Sequence, residues 1–148
     1  MDRKKFIKTC VYTCMCGSVL STVLQSCTAS KILSGNIIGD NLIVALKDFE
    51  ANSDNDKQYK KYVIVQNELL QFPICVYRFN ENEYHALWMR CTHQGNELQV
   101  FGDKLQCPAH GSEFDNTGIV RNGPADRSLR TFPVTVNNKQ LKISLKAV

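Results

Sequence analysis

Four side chains in two short segments have the types and spacing of a metal site. Cys91 and His93 lie in the first segment, Cys107 and His110 lie in the second, and thirteen residues separate His93 from Cys107. Thiolate and imidazole ligands suit zinc or iron-sulfur chemistry, whereas calcium and magnesium prefer oxygen ligands. Each segment supplies one sulfur and one nitrogen, so two arrangements are open. Both cysteines could hold one iron and both histidines a second, with bridging sulfides, or all four could surround one structural zinc.

The glycines beside these ligands favour the iron-sulfur arrangement. Gly95 follows His93 by two positions, and Gly111 and Ser112 follow His110 directly. Glycine allows the backbone to approach closely, so its amides can point at inorganic sulfides. A zinc knuckle has little need of this pattern, so the iron-sulfur arrangement is favoured. A structural zinc-binding interaction domain is the alternative.

The two segments resemble the hallmark loops of the Rieske iron-sulfur proteins. Residues 91–95 read Cys-Thr-His-Gln-Gly, and residues 107–112 read Cys-Pro-Ala-His-Gly-Ser. Residues 122–125, Asn-Gly-Pro-Ala, are similar to the glycine-proline loop that covers the cluster in that family. The resemblance extends over roughly residues 40 to 148 and implies one 2Fe-2S cluster as the cofactor.

The resemblance also implies a role for each ligand. Cys91 and Cys107 would hold the buried iron, while His93 and His110 would hold the outer, reducible iron near the surface. No catalytic residue is expected, because the cluster itself performs the redox step.

Further positions set the expected reduction potential. Ser112 stands where high-potential family members donate a hydrogen bond to a bridging sulfide, but Phe114 replaces their tyrosine donor. Asn96 and Ala109 occupy the positions of the disulfide that many members of cytochrome bc complexes carry. We therefore expect an intermediate potential, below that of the quinol-oxidising members.

The remainder of the chain after residue 40 is predicted to be short β-strands separated by turns. Runs of β-branched and aromatic residues alternate with turn formers, and no segment shows a helical period. The predicted strands are 42–47, 62–66, 74–79, 84–90, 98–101, 104–106, 113–115, 119–121, 130–136 and 141–145. The first is expected to pair with the second, the third with the fourth, and the last two with each other. Gly102-Asp103 predicts a type II′ hairpin between the ligand segments.

These expectations amount to an all-β fold. Together with the resemblance, they predict a Rieske-type antiparallel sandwich or barrel with a small inserted cluster-binding subdomain. Trp88, Tyr84 and Phe101 are expected in the core, and His85 is expected to be an ordinary strand residue.

The first 26 residues are predicted to be a bacterial signal peptide, because basic residues precede an uncharged, largely apolar run from Thr9 to Ser30. Leu24-Gln25-Ser26-Cys27 resembles a lipoprotein cleavage site, so Cys27 is expected to carry lipid. Residues 27–40 would then be a linker, and residues 41–148 the Rieske domain. The alternative is a retained transmembrane anchor, although the run falls short of about 20 mainly apolar residues. In both cases the domain is expected to be exported and attached to the periplasmic side of a membrane.

The cysteine count agrees with this processing. Of the seven cysteines, three would leave with the signal, one would carry lipid and two would bind iron. Only Cys75 remains, as a small buried thiol in a strand, so no disulfide is expected in the mature chain.

Charge excludes one class of function. The formal charge is +4, but residues 1–26 hold four basic residues and one acid, which leaves 14 basic against 13 acidic residues in the rest. Nucleic-acid binding therefore has no electrostatic basis. We predict an electron carrier, or the iron-sulfur subunit of a membrane-associated or periplasmic redox system, rather than a stand-alone catalyst. The expected redox partner is a cytochrome or an oxidoreductase, with a quinol as a candidate donor.

Overall fold

The computed structural model describes residues 32–51 and 58–146, and their regular structure is nearly all β. The strands are β1 Ile32–Ser34, β2 Asn36–Ile38, β3 Asn41–Ala45, β4 Glu50–Ala51, β5 Gln58–Tyr59, β6 Tyr62–Gln66, β7 Ile74–Arg78, β8 Tyr84–Trp88, β9 Gln99–Phe101, β10 Lys104–Gln106, β11 Glu113–Asp115, β12 Val120–Asn122, β13 Thr131–Phe132, β14 Val134–Asn137 and β15 Gln140–Ser144. A 3-10 turn covers Leu46–Phe49. Within these two ranges, no helix has the length and apolar character needed to cross a membrane.

Three sheets pack as layers, and the middle one is buried on both faces. Its strand order is β1-β6-β7-β8-β13; a β14-β15-β3-β2 sheet covers one face and a β12-β11-β10-β9 sheet covers the other. Val63 and Val65 join the core beside the first covering sheet, whereas Ile64 and Cys75 join the core beside the second. Because both faces are buried, β6 and β7 are continuous apolar runs rather than alternating ones.

The β9–β12 sheet is the predicted inserted subdomain. Its strands lie in sequence between β8 and β13, which are neighbours in the middle sheet. The turn between β9 and β10 has φ +61° at Gly102 and a negative φ at Asp103, with Phe101 paired to Lys104. This is the predicted type II′ hairpin. The all-β fold with an inserted subdomain is therefore confirmed.

One predicted strand pairing is wrong. β3 pairs with β15 and β2, whereas β6 pairs with β7 and, in parallel, with β1. The two strands that were expected to pair therefore lie in different sheets, packed face to face through residues such as Leu42 and Val63. The predicted pairs β7–β8 and β14–β15 are present.

Two boundaries also differ from those predicted. The expected linker 27–40 contains β1 and β2, because Leu33 and Ile37 pack against the core between the middle sheet and the β14-β15-β3-β2 sheet. The expected strand 130–136 is divided at Pro133, which has no backbone N–H for a ladder bond, so β13 and β14 lie in different sheets. The expected signal peptide and Cys27 lie outside the described residues.

Candidate metal centre

The first ligand segment is a tight loop that begins where β8 leaves the middle sheet. Arg90 and Glu97 form an isolated antiparallel bridge at its base. The Cys91 N–H donates to the Asn96 carbonyl at 2.8 Å, and the Gly95 N–H donates to the Cys91 carbonyl at 2.9 Å. Gly95 has φ +77°, a left-handed conformation that L residues with a side chain rarely adopt. The loop therefore turns back within five residues and leaves His93 at its tip.

The second ligand segment repeats this geometry between β10 and β11. The Cys107 N–H donates to the Ser112 carbonyl at 2.8 Å, and the Gly111 N–H donates to the Cys107 carbonyl at 2.9 Å. Gly111 has φ +78°, which matches the first loop. Both loops thus use the same pair of backbone bonds to fix a cysteine at the start and to present a histidine before the glycine.

The two loops bury their sulfur atoms and expose their imidazoles. Cys91 and Cys107 are only 2% and 1% exposed, and neither forms a disulfide. His93 and His110 are exposed, and their ring centroids lie 5.0 Å apart with the rings at 90°. The structure therefore brings all four predicted ligand residues to one end of the molecule, with the thiols on the core side and the imidazoles on the solvent side.

A buried serine joins the second loop to the segment that follows β12. The Ser112 side chain is fully buried, and its Oγ accepts a hydrogen bond from the Ala125 N–H at 3.0 Å. A hydroxyl has one donor hydrogen besides its acceptor lone pairs. That hydrogen has no acceptor among the bonds of the described residues, so Ser112 retains a buried, unused donor beside the ligands.

The segment that follows β12 is also bonded to the first loop, through Thr92. The Thr92 hydroxyl donates to the Arg127 carbonyl at 2.6 Å, so its hydrogen is already used. Leu129 is buried against the core that contains both ligand cysteines. The chain from residue 122 to 129 thus connects both ligand loops, as the expected glycine-proline loop would.

The subdomain behind the ligands is held by a turn around one carboxylate. Asp115 accepts bonds from the Thr117 N–H and hydroxyl, the Ile119 N–H and the Arg121 side chain, at 2.6 to 3.1 Å. Burial acts to raise the pKa of Asp115, but these hydrogen bonds outweigh burial and hold the pKa below its usual value. Asp115 is therefore an ionised anchor for the turn between β11 and β12.

The third described cysteine is a core residue. Cys75 is fully buried in β7, and burial raises the pKa of its thiol far above the ordinary range, although a hydrogen bond with Tyr77 opposes this. The prediction of a small buried thiol in a strand is confirmed. The third histidine, His85, lies in β8 against the Phe79 ring at 4.7 Å, outside the ligand loops, as predicted.

Two aromatic residues differ from the expected core placement. Phe101 is 51% exposed, because it is the last residue of an edge strand in the small sheet. Trp88 is half-buried: it packs on the core with one side and forms part of an open cleft with the other. The cleft also contains Arg90, Arg127 and Arg130, which the sequence did not single out.

The donor set fits a binuclear cluster. Among residues 32–51 and 58–146, no three His, Cys, Asp and Glu side chains gather around a point that could hold a single metal ion. A 2Fe-2S cluster of mixed ligation needs only two protein ligands on each iron, since sulfides complete the coordination. Two buried thiols and two neighbouring imidazoles are the ligands that such a cluster requires, and a buried hydroxyl donor beside them can tune its potential.

Comparison with known proteins identifies the family. The model of the Rieske 2Fe-2S domain matches residues 50–133, more than half of the 148-residue chain. The chain belongs to the Rieske family. Its cofactor is accordingly one 2Fe-2S cluster, as predicted, and membership supports electron transfer through that cluster.

Similar proteins include iron-sulfur subunits of cytochrome b6-f complexes. The chain is 41% identical over 56 residues to a cytochrome b6-f complex iron-sulfur subunit of Synechococcus sp. (strain CC9605), covering 36% of this chain and 32% of that protein. It is 43% identical over 53 residues to the same subunit of Trichodesmium erythraeum (strain IMS101), covering 34% and 30%. The chain thus spans about a third of the length of these relatives.

Solved structures show the same fold. The plasma membrane Rieske protein PetC3 of Synechocystis PCC 6803 superimposes with a TM-score of 0.50 at 30% identity, covering 57% of this chain and 86% of that protein. The quaternary ammonium Rieske monooxygenase CntA superimposes with a TM-score of 0.55 at 16% identity, covering 72% and 32%. The second similarity is one of fold alone.

Proposed function

We propose that this chain is an electron carrier, or the iron-sulfur subunit of a membrane-associated or periplasmic redox system. In this proposal Cys91 and Cys107 hold one iron of the cluster, and His93 and His110 hold the other. The observation that carries it is the equivalence of the two loops. Each fixes a buried cysteine with the same pair of backbone bonds and presents a histidine to solvent.

The ligand types determine which chemistry the bound cluster supplies. A 2Fe-2S cluster with two neutral imidazoles has a reduction potential of about −150 to +300 mV, against about −400 mV for an all-cysteine ferredoxin. The chain's own residues determine where the cluster would lie relative to the core and to solvent. Cys91 and Cys107 would attach the cluster to the core, and the imidazoles of His93 and His110 would hold it at the solvent-exposed edge. A partner must therefore approach the exposed surface of His93 and His110.

Ser112 is proposed as a hydrogen-bond donor to the cluster. Its hydroxyl is fully buried, and the bond from Ala125 fixes its oxygen while its hydrogen remains available. Such donors raise the potential by stabilising the more negative, reduced state. Phe114 is also fully buried but has no donor, so we propose an intermediate potential.

The cellular setting follows from the N-terminal sequence and the relatives. We propose that residues 1–26 are removed as a signal peptide, that Cys27 is lipidated, and that the Rieske domain acts on the periplasmic side of a bacterial membrane. The relatives named as cytochrome b6-f subunits support a cytochrome-linked redox partner, with a quinol as a candidate donor. A Cys27→Ala variant should lose incorporation of labelled fatty acid and leave the membrane fraction. Retention in the membrane without the label would instead indicate an uncleaved anchor.

The ligand assignment is tested by pulsed electron paramagnetic resonance of reduced protein containing 15N-histidine. Two distinct histidine nitrogen couplings are expected. In a matched pair of variants, His110→Ala should lose one coupling or the cluster, whereas His85→Ala should keep both couplings. Absence of any histidine nitrogen coupling in the parent protein would refute the assignment.

A further inference from the structure

The surface next to His93 contains an unusual concentration of positive charge. An open cleft of about 500 Å³ is bounded by His93, Trp88 and the three arginines Arg90, Arg127 and Arg130. All three arginines are exposed. Outside the N-terminal 26 residues the sequence is nearly neutral, with 14 basic and 13 acidic residues, so this concentration is local.

Two of the three arginines lie against the tryptophan ring. The guanidinium carbon of Arg90 lies 5.4 Å from the centroid of the Trp88 ring, and that of Arg130 lies 5.6 Å from it. The backbone N–H of Trp88 also donates to the Arg130 carbonyl at 2.9 Å, which fixes β8 relative to the residue that precedes β13. Stacking of this kind holds a guanidinium in place while its hydrogen-bond donors remain available.

Within the described part of the chain, the charge of the cleft is almost uncompensated. No carboxylate forms an ion pair with Arg90 or Arg130. Arg127 has one acidic neighbour, Asp126, at 3.7 Å, and both side chains are more than three-quarters exposed, so the pair is weak. Arg130 also donates a long hydrogen bond to the Leu145 carbonyl at 3.4 Å. The positive charge of the three arginines remains available to an external anionic group.

We propose that this cleft is the docking surface for a redox partner protein that carries clustered carboxylates. The inference rests on the proposed electron-transfer function and specifies the partner's chemistry. Tryptophan and arginine are among the residues enriched at binding hot spots. Three arginines line one open cleft, and two of them lie against the Trp88 ring, so the cleft is complementary in charge to a protein surface that carries several carboxylates. Since His93 borders the cleft, a partner docked there lies against the solvent edge of the ligands.

Arg127 offers the cleanest variant. Thr92 bonds to the carbonyl of Arg127, and the Arg127 side chain has only the weak pair with Asp126, so a substitution leaves the loop connection intact. Arg127→Glu and Arg127→Gln are compared with Lys142→Glu. Lys142 is an exposed residue of β15, in the sheet on the other side of the middle sheet from the ligand loops.

The test uses the purified, iron-loaded chain with two probe proteins, an acidic and a basic c-type cytochrome. Tighter binding of the acidic cytochrome is expected, with affinity that falls as salt increases. Arg127→Glu should weaken it by about threefold to tenfold, Arg127→Gln by less, and Lys142→Glu hardly at all. Equal effects of the Arg127 and Lys142 substitutions, or equal binding of both cytochromes by the parent protein, would overturn the proposal.

Trp88, the single tryptophan of the chain, gives a readout that does not depend on electron transfer. Anionic iodide should quench its fluorescence more strongly than cationic caesium, and Arg127→Glu should reduce that difference.

Binding to phosphatidylglycerol vesicles tests whether the cleft contacts lipid instead of a protein. If Arg127→Glu lowers vesicle binding but leaves cytochrome binding unchanged, the cleft contacts lipid and the proposal is wrong. These results are distinct from failure of the electron-transfer function, which would appear as a chain without a reducible cluster.

Discussion

Replacing Ser112 with alanine should lower the reduction potential and also destabilise the fold. The hydroxyl is fully buried; its oxygen accepts from the Ala125 N–H, and its hydrogen has no acceptor among the described residues. A hydrogen bond to a charged acceptor contributes about 1.5 to 3 kcal/mol. If about 1 to 2 kcal/mol of this distinguishes the reduced from the oxidised state, the potential should fall by about 45 to 90 mV, since about 1.4 kcal/mol corresponds to about 59 mV for one electron.

The stability effect has a separate cause. In Ser112→Ala the Ala125 N–H loses its acceptor, and Ala125 is only 5% exposed. A buried unsatisfied donor costs about 1 to 3 kcal/mol. Thermal unfolding of the iron-loaded protein measures this loss, while a spectroelectrochemical titration of the cluster measures the potential. The two quantities can therefore be compared in the same preparation.

Thr92→Val is the matched control for the potential. It removes a hydroxyl from the other ligand loop, but that hydroxyl already donates to the Arg127 carbonyl at 2.6 Å. Its potential should remain close to that of the parent protein. If Ser112→Ala and Thr92→Val shift the potential equally, or if Ser112→Ala loses stability with no change in potential, the argument from the free hydroxyl hydrogen is refuted.

Three further predictions, made with four substitutions, test separate parts of the structure. Phe114→Tyr should raise the potential by about 20 to 65 mV, because it adds a donor at a fully buried position in the core shared with both ligand cysteines; an unchanged value in a folded, iron-loaded variant would contradict this. Cys107→Ala should abolish iron loading, whereas Cys75→Ala, which removes a cysteine with a strongly raised pKa, should keep the full iron content. Asp115→Asn should lower the melting temperature by about 3 to 6 °C at pH 7 through weakened turn bonds. The pKa of Asp115 is lowered by folding, so its ionisation stabilises the fold above the unfolded pKa of about 4, and the difference between parent and variant should shrink as the pH falls below that value.

Features set by local sequence could be predicted well. The ligand loops follow from cysteine, histidine and glycine at fixed spacing, and the structure brings the four ligand residues to one end of the molecule. The strand Tyr62–Gln66 and the turn at Gly102 were also predicted, because apolar runs and a leading glycine are local signals.

Features that depend on contacts between distant segments could not be predicted. The pairing of β3 with β15 instead of β6 is a choice among strands of similar composition, and the sequence pattern does not distinguish them. The arginine cleft has the same origin. Arg90 and Arg127 are 37 positions apart, and they line one cleft only because β8 and the segment after β12 are bonded side by side.

The central claim is that two thiols and two imidazoles hold a binuclear iron cluster. Metal and acid-labile sulfide analysis of anaerobically purified protein, with electron paramagnetic resonance before and after reduction, tests it most directly. The account predicts about two irons and two sulfides per chain and a signal that appears only on reduction. One zinc per chain, with no sulfide, colour or signal, would contradict it.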